Sequence, residues 1–266
     1  MKDLKIAIYQ MEIITGNKEA NLENLEKVIE KHQDISIDLW IVPELFTTGF
    51  DYKNFESLAE DPKDSETVSR LISLSKKYST GIAGTYLIQE TGNYFNLGFI
   101  ISPLKGLIYQ YRKIHLWGNE KMKFTAGTSV PPPIDFDGKA IIGLSICYDL
   151  RFPEVSRKLV TQGAEIIINS AAWPAQRIDH FNLLSSARAL ENTSYHIAVS
   201  RIGFEVSEIN GLNVEVEYPG SSRILDPFGD VIASSLDKNA VLMATLEGDK
   251  LAKYRNRIPV LKDRKL

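Results

Sequence analysis

A single cysteine, Cys147, stands in the 266 residues of this chain. One thiol can form neither an intrachain disulfide nor a cysteine-rich zinc site, so a reducing compartment is expected. Histidine is nearly as scarce. His115, His180 and His196 show no metal-ligand spacing with one another or with Cys147, so no metal is expected. An excess of one charge sign is also missing. The net charge of −3 argues against a nucleic-acid partner. No apolar run approaches the roughly 18 residues of a membrane helix, so no membrane association is expected. The opening Met1-Lys2-Asp3-Leu4-Lys5 enters a strand-like run without a secretory h-region, and a cytoplasmic location is the expectation.

What is present is ordinary for a folded protein with an ample core: 44% hydrophobic and 24% charged residues exclude a disordered or fibrous chain. No low-complexity linker divides it, and one domain over residues 1–266 is expected. Apolar periodicity predicts helices over Asn17–Glu30, Glu66–Tyr78, Pro153–Gln162 and Ile178–Asn192. Strands are predicted at Lys5–Gln10, Asp38–Pro43, Gly81–Leu87, Asn96–Ser102, Gly106–Arg112, Glu165–Asn169 and Tyr195–Ser200, with hairpin-like β structure from Tyr218 to Leu246. Such alternation predicts an α/β sheet protein. Lys113–Pro133 reads as a long irregular segment, too polar and too rich in Gly and Pro for core. Gly203–Glu217 reads as a rim or interface loop, and the basic tail from Leu251 as partly extended.

The apolar run Ile141–Ile146 suits a strand buried on both faces, with Cys147 at its carboxyl end. Open α/β sheets place ligand chemistry at such strand ends. Glu44 follows Val42-Pro43 at the end of another strand, and Lys113 follows Tyr111-Arg112. About a hundred residues separate the Glu44 and Cys147 strand ends, which hints at two related halves. Together the three groups support acyl transfer without histidine or metal. A carboxylate can take the thiol proton and later deliver it to an amine leaving group. A lysine ammonium favours the thiolate and holds the oxyanion of a tetrahedral intermediate.

Five segments carry a resemblance. They are Val42–Gly49, Tyr111–Leu116, Ile146–Glu154, Ser186–Asn192 and Pro219–Ser222 with Asp226–Asp230 after it. In this order the chain resembles the nitrilase, or carbon–nitrogen hydrolase, superfamily over nearly its whole length. The resemblance implies a four-layer α-β-β-α sandwich with two pseudo-related halves, assembled as a homodimer or higher homo-oligomer. It implies Glu44 as general base, Lys113 as stabiliser of the intermediate, Cys147 as nucleophile, and Glu120 as a second glutamate that positions Lys113. The Tyr148 backbone N–H would complete the oxyanion hole, and no cofactor is implied.

Cys147–Pro153 and Ala172-Trp173-Pro174 look most like the ω-amidase-type branch, whose substrates are small acids with a terminal amide, such as 2-oxoglutaramate. A carboxylate at the far end of that substrate calls for a cation, Arg151 or Arg177, with Trp173 lining the pocket. Competing readings are a nitrile or N-carbamoyl amino acid as substrate, a silent interaction module on the same fold, and a redox role for Cys147. The redox role lacks a resolving cysteine within the chain. Among the structural readings, Asp149 and Arg151 would form a local ion pair, Arg188 would pair with Glu191, and His115 would brace the Lys113 loop.

Overall fold

The computed structural model describes residues 1–209 and 212–265. The chain opens with β1 (Leu4–Gln10), α1 (Lys18–Lys31), β2 (Leu39–Ile41), α2 (Phe55–Leu58), α3 (Glu66–Tyr78), β3 (Gly81–Glu90), β4 (Asn93–Ser102), β5 (Gly106–Arg112) and α4 (Glu120–Lys123). There follow β6 (Ile134–Phe136), β7 (Ala140–Ile146), α5 (Pro153–Thr161), β8 (Ile166–Ala171), α6 (Ile178–Asn192) and β9 (Tyr195–Ser200). The last part holds β10 (Ile202–Ile209), β11 (Leu212–Leu225), β12 (Val231–Leu236), β13 (Ala240–Leu246), α7 (Gly248–Arg257) and α8 (Val260–Asp263). No helix among the described residues is long and apolar enough to cross a membrane.

Two sheets form. One has the order β13-β1-β2-β3-β4-β5; the other runs β10-β11-β9-β8-β7-β6, with β12 also paired to β11. The apolar pattern explains the stacking. On β1, Ile6 and Ile8 join the cluster between the sheets, whereas Ala7 and Tyr9 pack against α1 and α3 through Leu22, Leu25, Leu71 and Leu74. Successive strand residues point to opposite faces, so a strand apolar at every position is buried from both sides. The sheets approach closely where β4 carries Gly98, since an added Cβ there would lie 2.5 Å from a methyl of Leu144 on β7. On the far face of β7, a Cβ on Gly143 would meet Leu159 of α5 at 2.8 Å. The result is the expected α-β-β-α sandwich.

Each sheet is built on three parallel strands, β1-β2-β3 and β7-β8-β9. Helices fill the crossovers in the same way, α1 and α3 in one half, α5 and α6 in the other. The halves therefore share a plan. The two reactive strand ends that suggested it are nonetheless not equivalent: Glu44 follows the second parallel strand of its half and Cys147 the first.

Three local expectations change. Gly203–Glu217 is no loop; it is mostly β10 and β11, paired antiparallel from Ile202↔Pro219 to Ile209↔Leu212, while Asn210 and Gly211 lie outside the described residues. Alternating Phe204, Val206, Val214 and Val216 supply the strand period that the interspersed charges masked. The tail is helical through α7, where Leu251 packs into the core; Leu266 lies outside the described residues. Within Lys113–Pro133, Lys113, Glu120, Phe124 and Val130 are buried, so this polar segment does enter the interior. Buried charge is tolerated there because it is paired.

Candidate active site

Glu44 sits where β2 gives way to Pro43, which has no N–H to continue a ladder. The next residue, Leu45, takes a left-handed φ of 46° and donates its N–H to Thr85 Oγ1 at 2.7 Å. That turn sends the Glu44 side chain inward, where it is 1% exposed. Its Oε1 accepts from Asn96 Nδ2 and from Lys113 Nζ, both at 2.8 Å, and Oε2 accepts from the Ala172 N–H at 2.9 Å. None of these donors belongs to a following helix.

Lys113 leaves the end of β5. Its N–H donates to the Asn96 carbonyl at 3.0 Å, which turns the side chain into the space between the sheets. Nζ donates to Glu44 Oε1 at 2.8 Å and to the two Glu120 oxygens at 2.7 and 2.8 Å. Burial works against the ammonium, but Glu120 and Glu44 outweigh it and raise the Lys113 pKa well above its ordinary value. Lys113 is therefore a fixed cation. Glu120 stands in the first turn of α4 and also accepts the Trp117 N–H at 2.8 Å. Burial pushes its carboxyl up to about 7, with Lys113 opposing and Glu44 adding to the rise. The physical reason is that two carboxylates share one cation in a space that water does not screen. Glu120 is 4% exposed, so it is no solvated loop charge.

Cys147 closes β7 with a φ of 42°, a left-handed conformation that costs a non-glycine residue about 1–2 kcal/mol. A 3-10 turn over Cys147–Arg151 follows at once. The Cys147 Sγ–H points to the Ala172 carbonyl at 3.7 Å. Burial, and next the charge of Glu44, hold the thiol pKa well above its ordinary value against the pull of Lys113. The sulfur thus holds its proton more tightly than an ordinary thiol.

Asp149, on the same turn, accepts from Tyr111 Oη at 2.7 Å, His115 Nδ1 at 2.8 Å, the His115 N–H at 3.2 Å and the Ile146 N–H at 3.0 Å. It does not pair with Arg151, because its acceptors are filled by groups from inside the fold. Arg151 instead donates to His180 Nδ1 at 3.1 Å and lies over the Trp173 and Tyr148 rings, 5.0 and 6.0 Å from their centroids. His115 braces the Lys113 segment as expected and stacks on Phe152 at 3.6 Å. Arg188 pairs with Glu191 at 2.9 Å.

Glu44, Lys113, Glu120, Cys147, Tyr148, Arg151, Trp173 and Arg177 all line one cavity of about 410 Å³. Trp173 also packs on Phe181, so it serves wall and core together. Arg177 is exposed and lies over Trp117 at the mouth, 5.7 Å from its ring.

Sequence reasoning missed several contributors. Asn96 holds Glu44 and Lys113 together; its signal was a lone amide in the apolar strand Asn96–Ser102. Phe50, Tyr52, Tyr218 and Val214–Val216 complete the walls. Behind them, Arg201 and Glu205 form a buried pair, with Glu205 Oε1 accepting the Phe50 N–H at 3.2 Å and Arg201 lying 4.8 Å from the Tyr218 ring centroid. No local motif marks contacts made across this distance in sequence.

A four-layer sandwich with a buried Glu-Lys-Glu cluster and a thiol in one cleft is the architecture of carbon–nitrogen hydrolases. The model of the Carbon-nitrogen hydrolase family matches residues 5–256, and the chain belongs to that family. It is a hydrolase acting on carbon–nitrogen bonds other than peptide bonds. The chain is 34% identical over 261 residues to a 2-oxoglutaramate amidase of Bacillus subtilis, covering 97% of this chain and 96% of that protein. It is 30% identical over 266 residues to the omega-amidase YafV of Escherichia coli, covering 99% and 97%. Its fold matches the crystal structure of XC1258 from Xanthomonas campestris, a CN-hydrolase superfamily protein with an arsenic adduct in its active site. That match has a TM-score of 0.88 at 28% identity and covers 100% of this chain and 98% of the other.

Proposed function

We propose that this protein is a cysteine-dependent amidase that hydrolyses the terminal amide of a small linear acid amide, of the 2-oxoglutaramate type, to carboxylate and ammonia. The observation that carries the chemistry is the Lys113 ammonium gripped at 2.8 Å by Glu44 in the cavity that holds Cys147. The names of the relatives support the substrate class.

In this reading the amide carbonyl enters beside Cys147. Sulfur attacks carbon as Glu44 takes the thiol proton, and the oxyanion forms against Lys113 Nζ and the Tyr148 N–H. The raised thiol pKa suits this timing, because the proton leaves only as the carbon–sulfur bond forms. Glu44 then delivers that proton to nitrogen, the carbon–nitrogen bond breaks and ammonia departs, leaving a thioester. Water gives a proton to Glu44 as its oxygen attacks the thioester carbon. Collapse expels sulfur, which recovers the proton, and releases the acid. Glu120 keeps Lys113 in place throughout.

Arg151 suits the distal carboxylate of the substrate better than Arg177. It is held by His180 and by two aromatic faces of the cavity wall, so little side-chain freedom remains to be lost on binding.

Ammonia release from 2-oxoglutaramate, asparagine, an N-carbamoyl amino acid and a simple nitrile tests the reading, with wild type beside Cys147→Ala. Fast, Cys147-dependent turnover of the keto amide is expected. Preference for the nitrile or the carbamoyl compound would overturn the substrate class, and silence on all four would favour a non-catalytic role. Arg151→Met should raise KM for the acidic amide more than for a neutral one; equal loss on both would remove Arg151 from substrate binding.

A further inference from the structure

We propose that Asp149 is a positioning residue that sets Lys113 and Cys147 relative to each other, an inference that rests on the roles given above to those two residues. Lys113 comes from the edge strand of one sheet and Cys147 from β7, one strand in from the edge of the other. No strand ladder fixes their separation, because ladders hold residues only within a sheet. Hydrogen bonds of the Lys113 backbone to Asn96 and Gly127 leave the register against the Cys147 turn open.

Asp149 supplies the missing tie. Its carboxylate is fully buried and takes four donors. Tyr111 and His115, which provide three of them, stand two residues before and two residues after Lys113. Ile146, which provides the fourth, immediately precedes Cys147. One side chain therefore clamps both flanks of the cation to the base of the nucleophile. By holding the Ile146 N–H it also sustains the left-handed turn that presents Cys147.

A carboxylate is needed for this. It accepts at both oxygens, whereas an asparagine must aim an N–H₂ group at donors that already fill one side. Asp149 does not line the cavity, so its effect reaches the substrate only through its neighbours. Misplacement of reacting groups by about 1 Å costs about 100-fold in rate.

The lone cysteine makes the test direct, because alkylation by iodoacetamide reports on Cys147 alone. In the full-length protein, Asp149→Asn should lower kcat by about 100-fold with KM kept within about threefold. The alkylation rate constant should fall in parallel, by about tenfold or more. His115→Ala should show a weaker form of both defects, and His115→Asn, which restores a donor near Nδ1, should recover most of the loss. This pair decides the matter should the Asp149 variant fail to fold. The proposal is overturned if Asp149→Asn keeps kcat within about threefold, or if activity falls only with the folded fraction while the remainder alkylates at the wild-type rate. Equal behaviour of the two His115 variants would overturn it as well. Alkylation needs no amide substrate, so an error in substrate class would leave it intact. Undiminished hydrolysis by Cys147→Ala would instead overturn the nucleophile assignment.

Discussion

Glu44 and Ala172 join the two sheets of this protein at the floor of the active site. The Glu44 N–H donates to the Ala171 carbonyl at 3.4 Å, and Glu44 Oε2 accepts the Ala172 N–H at 2.9 Å. The Glu44 carboxylate is thereby oriented by the very segment whose Ala172 carbonyl faces the thiol. The buried carboxylate and cation and the half-buried cysteine line one cavity, and they arrive from both halves of the chain.

Glu44→Gln should preserve the fold, since the amide oxygen can still accept one of these bonds, while removing the proton acceptor. We expect kcat to fall by about 10³-fold or more, in line with the loss of a general base. Thermal unfolding should move by less than about 5 °C. Hydrolysis within tenfold of wild type would remove Glu44 from proton transfer.

Lys113→Met leaves Glu44 and Glu120 facing each other without a cation. Breaking a buried pair in this way costs about 3–5 kcal/mol, a fall in Tm of roughly 10 °C for a chain of this size. The pH dependence has a definite sign. A carboxyl whose folded pKa lies above its unfolded value adds stability below the unfolded value and loses it as pH rises through the folded one. Glu120 is raised to about 7 even with Lys113 present. The variant should therefore regain part of its Tm on going from pH 8 to pH 5. A Tm deficit that does not shrink with acidification would contradict this.

His196 is fully buried on β9, and neither ring nitrogen has a hydrogen-bond partner among the described residues. Burial, and next the nearby Arg188 charge, lower its pKa to about 3. Its folded form is neutral, so its contribution is complete above the unfolded value of about 6.5 and is lost as pH falls toward 3. Wild type should lose about 2–3 kcal/mol relative to His196→Gln between pH 6.5 and 4.5. Urea melts at several pH values measure it, and parallel curves for the two proteins would refute it.

Glu205→Gln removes the partner of the buried Arg201 and weakens the bond to the Phe50 N–H. Phe50 and Tyr218 line the cavity without touching the Glu44–Lys113 pair in any hydrogen bond. We expect KM to rise several-fold with kcat changed by less than about threefold, together with a destabilisation of about 3 kcal/mol. A loss confined to kcat would place Glu205 nearer the chemistry than its contacts indicate.

Much of this architecture was legible along the chain. The helices Glu66–Tyr78 and Ile178–Asn192 and the strands Tyr195–Ser200 and Gly106–Arg112 were predicted to the residue, because each carries a full apolar period. Glu44, Lys113, Glu120 and Cys147 stood out because each lies in a short motif next to a strand end or loop, and the motifs keep their family's order. The strands β10 and β11 were hidden by charges interspersed along both, including the buried Glu205, and the C-terminal helix by its near absence of apolar residues.

Local patterning in the sequence thus determined the elements, their alternation and the candidate site residues, since periodicity and side-chain chemistry are properties of neighbours in the chain. Only the tertiary structure decided that Asn96 holds Glu44, that Asp149 ties the Lys113 and Cys147 segments, and that Glu120 is buried with Lys113 rather than solvated. Those outcomes depend on which sheet edge meets which, and on how many charges share a space without water. Both are set by tertiary packing, which brings together Asn96 and Glu44 across 52 residues and Tyr111 and Asp149 across 38, and no local pattern encodes them.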